Sequence, residues 1–130
     1  MKVVYIAGPY RADTEYGVHA NIQAAENAAR LVWGMGAAAL CPHKNSAYLG
    51  GIVDAGRFLA GGIELMRRSD AVLLLDGWEE SRGSRIEQLV ATEEGMPVLR
   101  SLVELGIWLA DQDDGEAGDG GSTEEAVGLN

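Results

Sequence analysis

Short apolar runs alternate with longer stretches of helical spacing along most of the chain. Residues 3–7 (Val-Val-Tyr-Ile-Ala) and 71–75 (Ala-Val-Leu-Leu-Leu) are apolar without polar alternation, which is typical of strands covered on both faces of a parallel sheet. Residues 37–41 and 96–99 form two shorter runs that also predict strands. The alternation predicts an α/β fold, with a doubly wound, Rossmann-like or flavodoxin-like parallel sheet of four to five strands and helices on both faces.

Apolar residues at intervals of three and four predict four helices between and after these strands. The first is expected to begin after Asn21, a candidate N-cap, and to end at Gly34. Its inner face carries small and apolar side chains, namely Ile22, Ala25, Ala29, Val32 and Trp33. The second helix is expected over residues 55–68, the third after Ser84 and the fourth around residues 102–109.

Charge is distributed unevenly between the body of the chain and its end. The net charge is −10, and residues 111–130 hold seven acidic residues and no basic one. The other 13 acidic residues nearly balance the 10 basic residues of positions 1–110, so a surface for duplex nucleic acid is not expected. The acidic, glycine-rich end has few large apolar groups to bury. We therefore predict one domain over residues 1–110 and a disordered tail over residues 111–130.

Cysteine, histidine and glycine patterns exclude several classes of protein. The single cysteine, Cys41, rules out an internal disulfide, and its apolar surroundings before Pro42 favour a buried thiol. His19 and His43 do not have the spacing of zinc ligands. Neither G-x-G-x-x-G nor a Walker A pattern occurs, so neither an NAD dehydrogenase nor a P-loop NTPase is expected. No run approaches the roughly 20 apolar residues that span a bilayer, and we expect a cytoplasmic protein without signal peptide or membrane segment.

Polar and glycine-containing segments follow three of the predicted strands. Residues 5–11, 42–45 and 76–87 lie at or beyond the carboxyl ends of those strands. In an open α/β sheet, ligands bind outside these ends, and the N–H groups at a helix start favour an anion there. Together the three segments are expected to form a pocket for a nucleotide.

Glu87 has two interpretations that spacing alone leaves open. Ser84-x-x-Glu87 has the form of a capping box, in which the carboxylate only accepts a hydrogen bond from a backbone N–H. Alternatively, the carboxylate faces the crevice beside Ser81 and Gly83 as a catalytic group. Asp76, at the end of the central strand, is the nearest candidate for a second acid, or else it only terminates the strand.

Four parts of the chain resemble the nucleoside 2-deoxyribosyltransferase-like superfamily. They are residues 5–10 (Tyr-Ile-Ala-Gly-Pro-Tyr), 42–45 (Pro-His-Lys-Asn), 77–83 (Gly-Trp-Glu-Glu-Ser-Arg-Gly) and Glu87. The similarity covers about residues 3–104 and is greatest to a branch of small, largely uncharacterised phage and bacterial proteins. The resemblance implies chemistry on a nucleoside or nucleotide without metal or redox cofactor.

The reaction implied by this resemblance takes place at an N-glycosidic bond. The nucleophile of the superfamily is a glutamate at the position of Glu87, and Ser81 and Gly83 match residues that contact the 5′-phosphate in nucleoside monophosphate hydrolases. Transferases of unphosphorylated nucleosides tend to have an aspartate where Ser81 stands, so a phosphorylated substrate is favoured. The expected function is hydrolysis of a (deoxy)nucleoside 5′-monophosphate, or deoxyribosyl transfer between bases. An aspartate that contacts sugar or base in the family is replaced here by Gly62, so a nucleotide-binding module without turnover is the alternative.

Two sets of candidate site residues result. The catalytic candidates are Glu87 and Asp76. The substrate-binding candidates are Tyr5, Gly8, Pro9, Tyr10, Arg11, His43, Asn45, Trp78, Ser81 and Gly83. Core packing is the alternative for Tyr5, an ordinary loop position for His43, and cover of the sheet edge for Trp78. The apolar faces of so short a sheet also predict a homodimer, and relatives often complete the pocket from a neighbouring chain.

Overall fold

Four short strands make up the sheet of this protein, whose computed structural model describes residues 1–42 and 54–115. They are β1 (Val3–Ala7), β2 (Ala38–Leu40), β3 (Ala71–Leu74) and β4 (Val98–Leu99). The order across the sheet is β2-β1-β3-β4, and every pair of neighbouring strands is parallel. The predicted doubly wound α/β fold is therefore confirmed, with the reversal of strand order at β1 and β3.

Helices connect the strands and cover both faces of the sheet. They are α1 (Glu15–Gly34), α2 (Ala55–Arg67), α3 (Arg82–Glu93) and α4 (Leu102–Gly115), and a 3-10 turn covers Trp78–Glu80. The predicted second helix agrees closely with α2. None of the helices in the described part of the chain combines the length and apolar character needed to cross a membrane.

Side chains of β1 alternate between two apolar clusters, one on each face of the sheet. Val4 and Ile6 belong to a cluster with buried residues of α1 and α4. Tyr5 and Ala7 belong to the opposite cluster, with buried residues of α2 and α3. All four are fully buried, as expected for a strand covered on both faces. The alternation places the phenol of Tyr5 on the α2 and α3 side.

Helix α1 corrects two sequence predictions, one at its start and one near its end. Thr14, not Asn21, is the N-cap, because its Oγ1 accepts a hydrogen bond from the Gly17 N–H at 3.0 Å. This bond satisfies a free donor of the first turn, so the helix forms in a segment without apolar spacing. Trp33, predicted on the inner face, is 55% exposed, because it follows the buried Val32 and points about 100° away around the helix.

The last helix continues beyond residue 110, the predicted end of the domain. α4 runs to Gly115, and Trp108 and Leu109 pack partly buried against the cluster of α1 and α4. Once a packed turn has formed, each further residue adds a backbone hydrogen bond, so the polar residues after 110 extend the helix. Residues 116–130 lie outside the described residues, and the disorder of the tail stays a prediction.

Candidate functional site

A cleft of about 1310 Å³ lies at the carboxyl ends of β1 and β3. The loops after these strands and the N-terminal parts of α2 and α3 surround it. This is the place where the strand order reverses, at which open α/β sheets bind ligands. Nine residues predicted for the site line it, namely Tyr5, Gly8, Pro9, Tyr10, Arg11, Asp76, Ser81, Gly83 and Glu87.

Close packing between the two strand-end loops brings these residues together. A Cβ atom at Gly8 would lie 2.9 Å from Cβ of Leu75, so only glycine allows Leu75 to cover the end of β1. Gly77 has a φ of 85°, and a Cβ atom there would lie 3.2 Å from Cγ of Pro9. Glycine adopts this backbone conformation at little cost, unlike other residues. Gly8, a predicted substrate-binding residue, therefore has a structural role as well.

The first turn of α3 presents backbone donors to the cleft. Ser81 is the N-cap, and its Oγ accepts a hydrogen bond from the Ser84 N–H at 3.3 Å. The capping-box interpretation, in which Ser84 caps the helix and Glu87 completes the cap, is therefore wrong. The N–H groups of Arg82 and Gly83 precede the first intrahelical hydrogen bond. Such groups, together with the positive end of the helix dipole, favour an anion.

Glu87 is held by a side chain from the sheet and not by its own helix. It is only 9% exposed, and it lines the cleft from the second turn of α3. Its Oε2 accepts a hydrogen bond from the hydroxyl of Tyr5. Burial raises the pKa of Glu87, and the hydrogen bond from Tyr5 lowers it by a smaller amount. Burial also raises the pKa of Tyr5 far above its usual range, so the phenol is a neutral donor.

Gly62 of α2 lies directly against this pair. A Cβ atom at this position would lie 2.8 Å from the Tyr5 hydroxyl oxygen and 3.4 Å from Glu87 Oε2. A side chain at residue 62 would therefore point at these two atoms.

Ser84 is a buried polar residue of the same helix face. It is 1% exposed, it borders the cleft, and its Oγ has no hydrogen-bond partner among the residues that the structure describes. Buried hydroxyl groups without a partner are rare in folded proteins and lower stability. The α3 side of the cleft therefore holds a polar group that the fold alone does not require.

Charged side chains of both signs surround the cleft. Arg11 and Arg82 are cationic, and the acidic side chains are those of Asp13, Asp54, Asp76, Glu80 and Glu87. Asp54 also caps α2, because its Oδ1 accepts a hydrogen bond from the Arg57 N–H at 2.9 Å. Among the described residues that line the cleft, carboxylates therefore outnumber guanidinium groups. In the part of the chain that the structure describes, no three His, Cys, Asp or Glu side chains are grouped so that they could hold a metal ion.

Trp78 is the predicted site residue that the structure places elsewhere. It packs against the apolar cluster of α2 and α3, and the guanidinium of Arg100 lies 5.3 Å from the centroid of its ring. The large apolar ring covers the sheet edge and stacks on a cation, which corrects the expectation that it faces the ligand. His43 and Asn45 lie outside the described residues, and their roles stay predictions.

Sequence reasoning missed Asn21 as a residue of the cleft. Its Nδ2 donates a hydrogen bond to the carbonyl oxygen of Tyr10 at 3.1 Å, which ties the loop after β1 to α1. The signal was present in the spacing, since residues 21, 25, 28 and 32 share the inner face of α1 and only the first is polar. A polar residue on an otherwise apolar stripe indicates a buried polar contact.

Comparison with known proteins assigns the chain to a family. No curated protein matches its sequence. A family model described as Domain of unknown function (DUF4406) matches residues 2–100. These residues contain the whole sheet and every described residue that lines the cleft. The chain therefore belongs to the DUF4406 family.

Proposed function

We propose that this protein cleaves the N-glycosidic bond of a ribo- or deoxyribonucleoside 5′-monophosphate, with Glu87 as the nucleophile. The observation that carries the proposal is that the Glu87 carboxylate is buried in the cleft and bound by the hydroxyl of Tyr5. A glutamate that only capped its helix would turn back to a backbone N–H of the first turn, where Ser81 serves instead. The resemblance to the nucleoside 2-deoxyribosyltransferase-like superfamily supports the same reaction.

The reaction consists of two displacements at the anomeric carbon. A carboxylate oxygen of Glu87 attacks C1′ while the N-glycosidic bond breaks, and the bonding electrons leave with the base, which takes up a proton. Asp76 lines the same cleft and is the candidate donor of that proton. Water then attacks C1′ and gives a proton back to Asp76, the ester bond to Glu87 breaks, and a sugar 5-phosphate is released. A second base in place of water gives transfer instead of hydrolysis.

The start of α3 holds the 5′-phosphate in this proposal. The nearest atom to a Cβ at Gly83 would be Cδ1 of Leu59 at 3.9 Å, so the backbone there is open to close approach. Ser81 and Arg82 add a hydroxyl and a guanidinium to the same turn. Glu87 lies four residues after Gly83, about 6 Å further along the helix axis. This spacing allows one nucleotide to place its phosphate at the helix start and its C1′ near the carboxylate.

Base release from a panel of nucleoside 5′-monophosphates tests the proposal. Wild-type protein is incubated with ribo- and deoxyribonucleotides, and free base is measured by chromatography. Glu87→Gln is expected to lower the rate about a thousandfold or more, because it removes the nucleophile. Glu93→Gln, at an exposed position of the same helix, is the matched control and should retain wild-type activity. Adding a second free base distinguishes transfer from hydrolysis.

A nucleotide-binding module without turnover is the second candidate function. It is favoured by Gly62, which supplies no carboxylate at a position next to Tyr5 and Glu87. Calorimetric titration with the same monophosphates would then show binding, while neither wild type nor Glu87→Gln releases base.

The expected homodimer is likewise a proposal, and a monomeric mass in solution would contradict it.

A further inference from the structure

Two adjacent glycines in the middle of α2 differ in what surrounds them. Gly61 is exposed, and a Cβ atom there would meet no atom of the described residues within 4 Å. Gly62 is buried, and a Cβ atom there would lie 2.8 Å from the Tyr5 hydroxyl oxygen and 3.4 Å from Glu87 Oε2. Glycine inside a helix costs about 1 kcal/mol relative to alanine. Of these two glycines, only Gly62 has surroundings that explain why a side chain is absent.

Tyr5 has little freedom to move away from such a Cβ atom. It lies in the middle of β1, where it pairs with Leu40 of β2 and Val72 of β3, and it is fully buried. Real Cβ atoms essentially never show contacts shorter than 3.0 Å, so something must shift. Because the backbone of Tyr5 is held on both sides, the hydroxyl end of its ring is the part that a side chain at residue 62 displaces.

We propose that Gly62 is a positioning residue, whose missing side chain leaves the space in which the Tyr5 hydroxyl binds and orients the Glu87 carboxylate. This inference rests on the proposed role of Glu87 as nucleophile. An aspartate at residue 62, where the family resemblance would place one, meets the same hydroxyl oxygen and adds a like charge beside Glu87. Gly62 is therefore part of a different arrangement, in which a neutral phenol and not a second carboxylate holds the nucleophile.

The adjacent glycines provide a matched pair of substitutions. Gly61→Ala is expected to leave the turnover of nucleoside monophosphates unchanged. Gly62→Ala is expected to lower kcat about 10- to 100-fold, because misplacing a reacting group by about 1 Å costs about a hundredfold. The second measurement is the pKa of Glu87, obtained by carbon NMR of its carboxyl group in the ligand-free protein. Loss of the hydrogen bond from Tyr5 should raise this pKa in Gly62→Ala and not in Gly61→Ala.

Tyr5→Phe provides the rescue experiment, because it removes the oxygen that a Cβ atom at residue 62 would meet. Adding Gly62→Ala to Tyr5→Phe should leave kcat and the Glu87 pKa at the values that Tyr5→Phe alone produces. Such non-additivity is expected of two positions that act through one contact. A purely structural effect of the alanine on α2 would instead be as large in the Tyr5→Phe background as in the wild type.

The positioning role of Gly62 would be overturned if Gly62→Ala had the wild-type kcat and the wild-type Glu87 pKa. It would also be overturned if the alanine had the same effect in the wild type and in Tyr5→Phe. If Gly62→Ala does not fold, the double variant of Tyr5→Phe and Gly62→Ala tests the proposal. A folded double variant supports a clash between the alanine and the Tyr5 hydroxyl, and a double variant that does not fold overturns the proposed clash. Absence of base release by the wild type would refute the proposed function, whereas the carboxyl titration would still decide whether Gly62 positions Glu87.

Discussion

The two faces of the sheet bury different kinds of side chain. The face packed by α1 and α4 is filled by apolar residues such as Val32 and Leu105. The face packed by α2 and α3 buries the phenol of Tyr5 together with Glu87 and Ser84 of α3, and the Ser84 hydroxyl has no hydrogen-bond partner among the described residues. Polar groups withdrawn from water lower stability unless they are fully paired. The face packed by α1 and α4 therefore stabilises the fold, whereas the buried polar groups lower stability on the other face, where α2 and α3 border the cleft.

Substitution on the apolar face should have the largest effect on stability. Leu105→Ala removes a fully buried side chain of α4, and it should lower the free energy of unfolding by about 3 kcal/mol, because the cavity is only partly refilled. Urea unfolding measures the loss. Ile107→Ala, at a position of the same helix that is 61% exposed, should change stability by about 0.5 kcal/mol or less. Equal losses for the two variants would contradict the assignment of Leu105 to the core.

Apolar patterning made the sheet predictable from sequence, because β1 and β3 are continuous apolar runs, and such runs predict buried strands whichever elements cover them. The convergence of strand-end loops on one cleft followed from the same pattern and the parallel arrangement.

The residues at which the helices begin were harder to predict from sequence. Thr14 and Asn21 are both suitable cap residues, and so are Ser81 and Ser84, so residue type alone does not identify the cap.

The role of Glu87 was not decidable from sequence for a different reason. The contact that holds it comes from Tyr5, 82 residues away along the chain, and local spacing contains no information about such a partner. Gly62 is a similar case, since its lack of a side chain matters only because α2 brings it against the same pair. The polar face of this core is defined by tertiary contacts, whereas the apolar face is already evident in the periodicity.

The loop between β3 and α3 should show the next largest effect. Gly77→Ala places a Cβ atom on a residue with a φ of 85° and at 3.2 Å from Cγ of Pro9. Left-handed backbone costs other residues about 1–2 kcal/mol, so the unfolding free energy should fall by about that amount. Gly106→Ala is the control in α4, where a Cβ atom would meet nothing within 4 Å in the described part of the chain, and it should stabilise the protein by up to about 1 kcal/mol. Stabilisation by both alanines would show that the loop tolerates another backbone conformation.

Removal of the unpartnered hydroxyl should stabilise the polar face. Ser84→Ala deletes an Oγ that is buried and makes no hydrogen bond within residues 1–42 and 54–115, and alanine is also the better helix former, so a gain of about 1 kcal/mol is expected. Ser101→Ala should act in the opposite direction, because Ser101 Oγ accepts a hydrogen bond from the Glu104 N–H at the start of α4. Thermal and urea unfolding compare the two. Destabilisation by Ser84→Ala would mean that this hydroxyl has a partner in solution.

Glu87→Gln is expected to have the smallest effect on stability, because in the wild type the hydrogen bond from Tyr5 offsets part of the free-energy cost of burying the carboxylate. Burial raises the pKa of Glu87 above its ordinary value, so the folded state binds the proton more tightly than the unfolded state. Well below the ordinary glutamate pKa of about 4.3 both states are protonated, and as the pH rises from there to the folded pKa the wild type loses stability. Glu87→Gln has no titrating carboxyl group. Its unfolding free energy relative to the wild type should therefore rise between the unfolded and the folded pKa of Glu87 and stay constant at higher pH.

Urea unfolding of both proteins from pH 4 to pH 8 measures this difference in unfolding free energy, with Glu93→Gln as the exposed control. A difference that shrinks as the pH rises would mean that Glu87 is stabilised as a carboxylate in the folded protein, contrary to the comparison of the two faces.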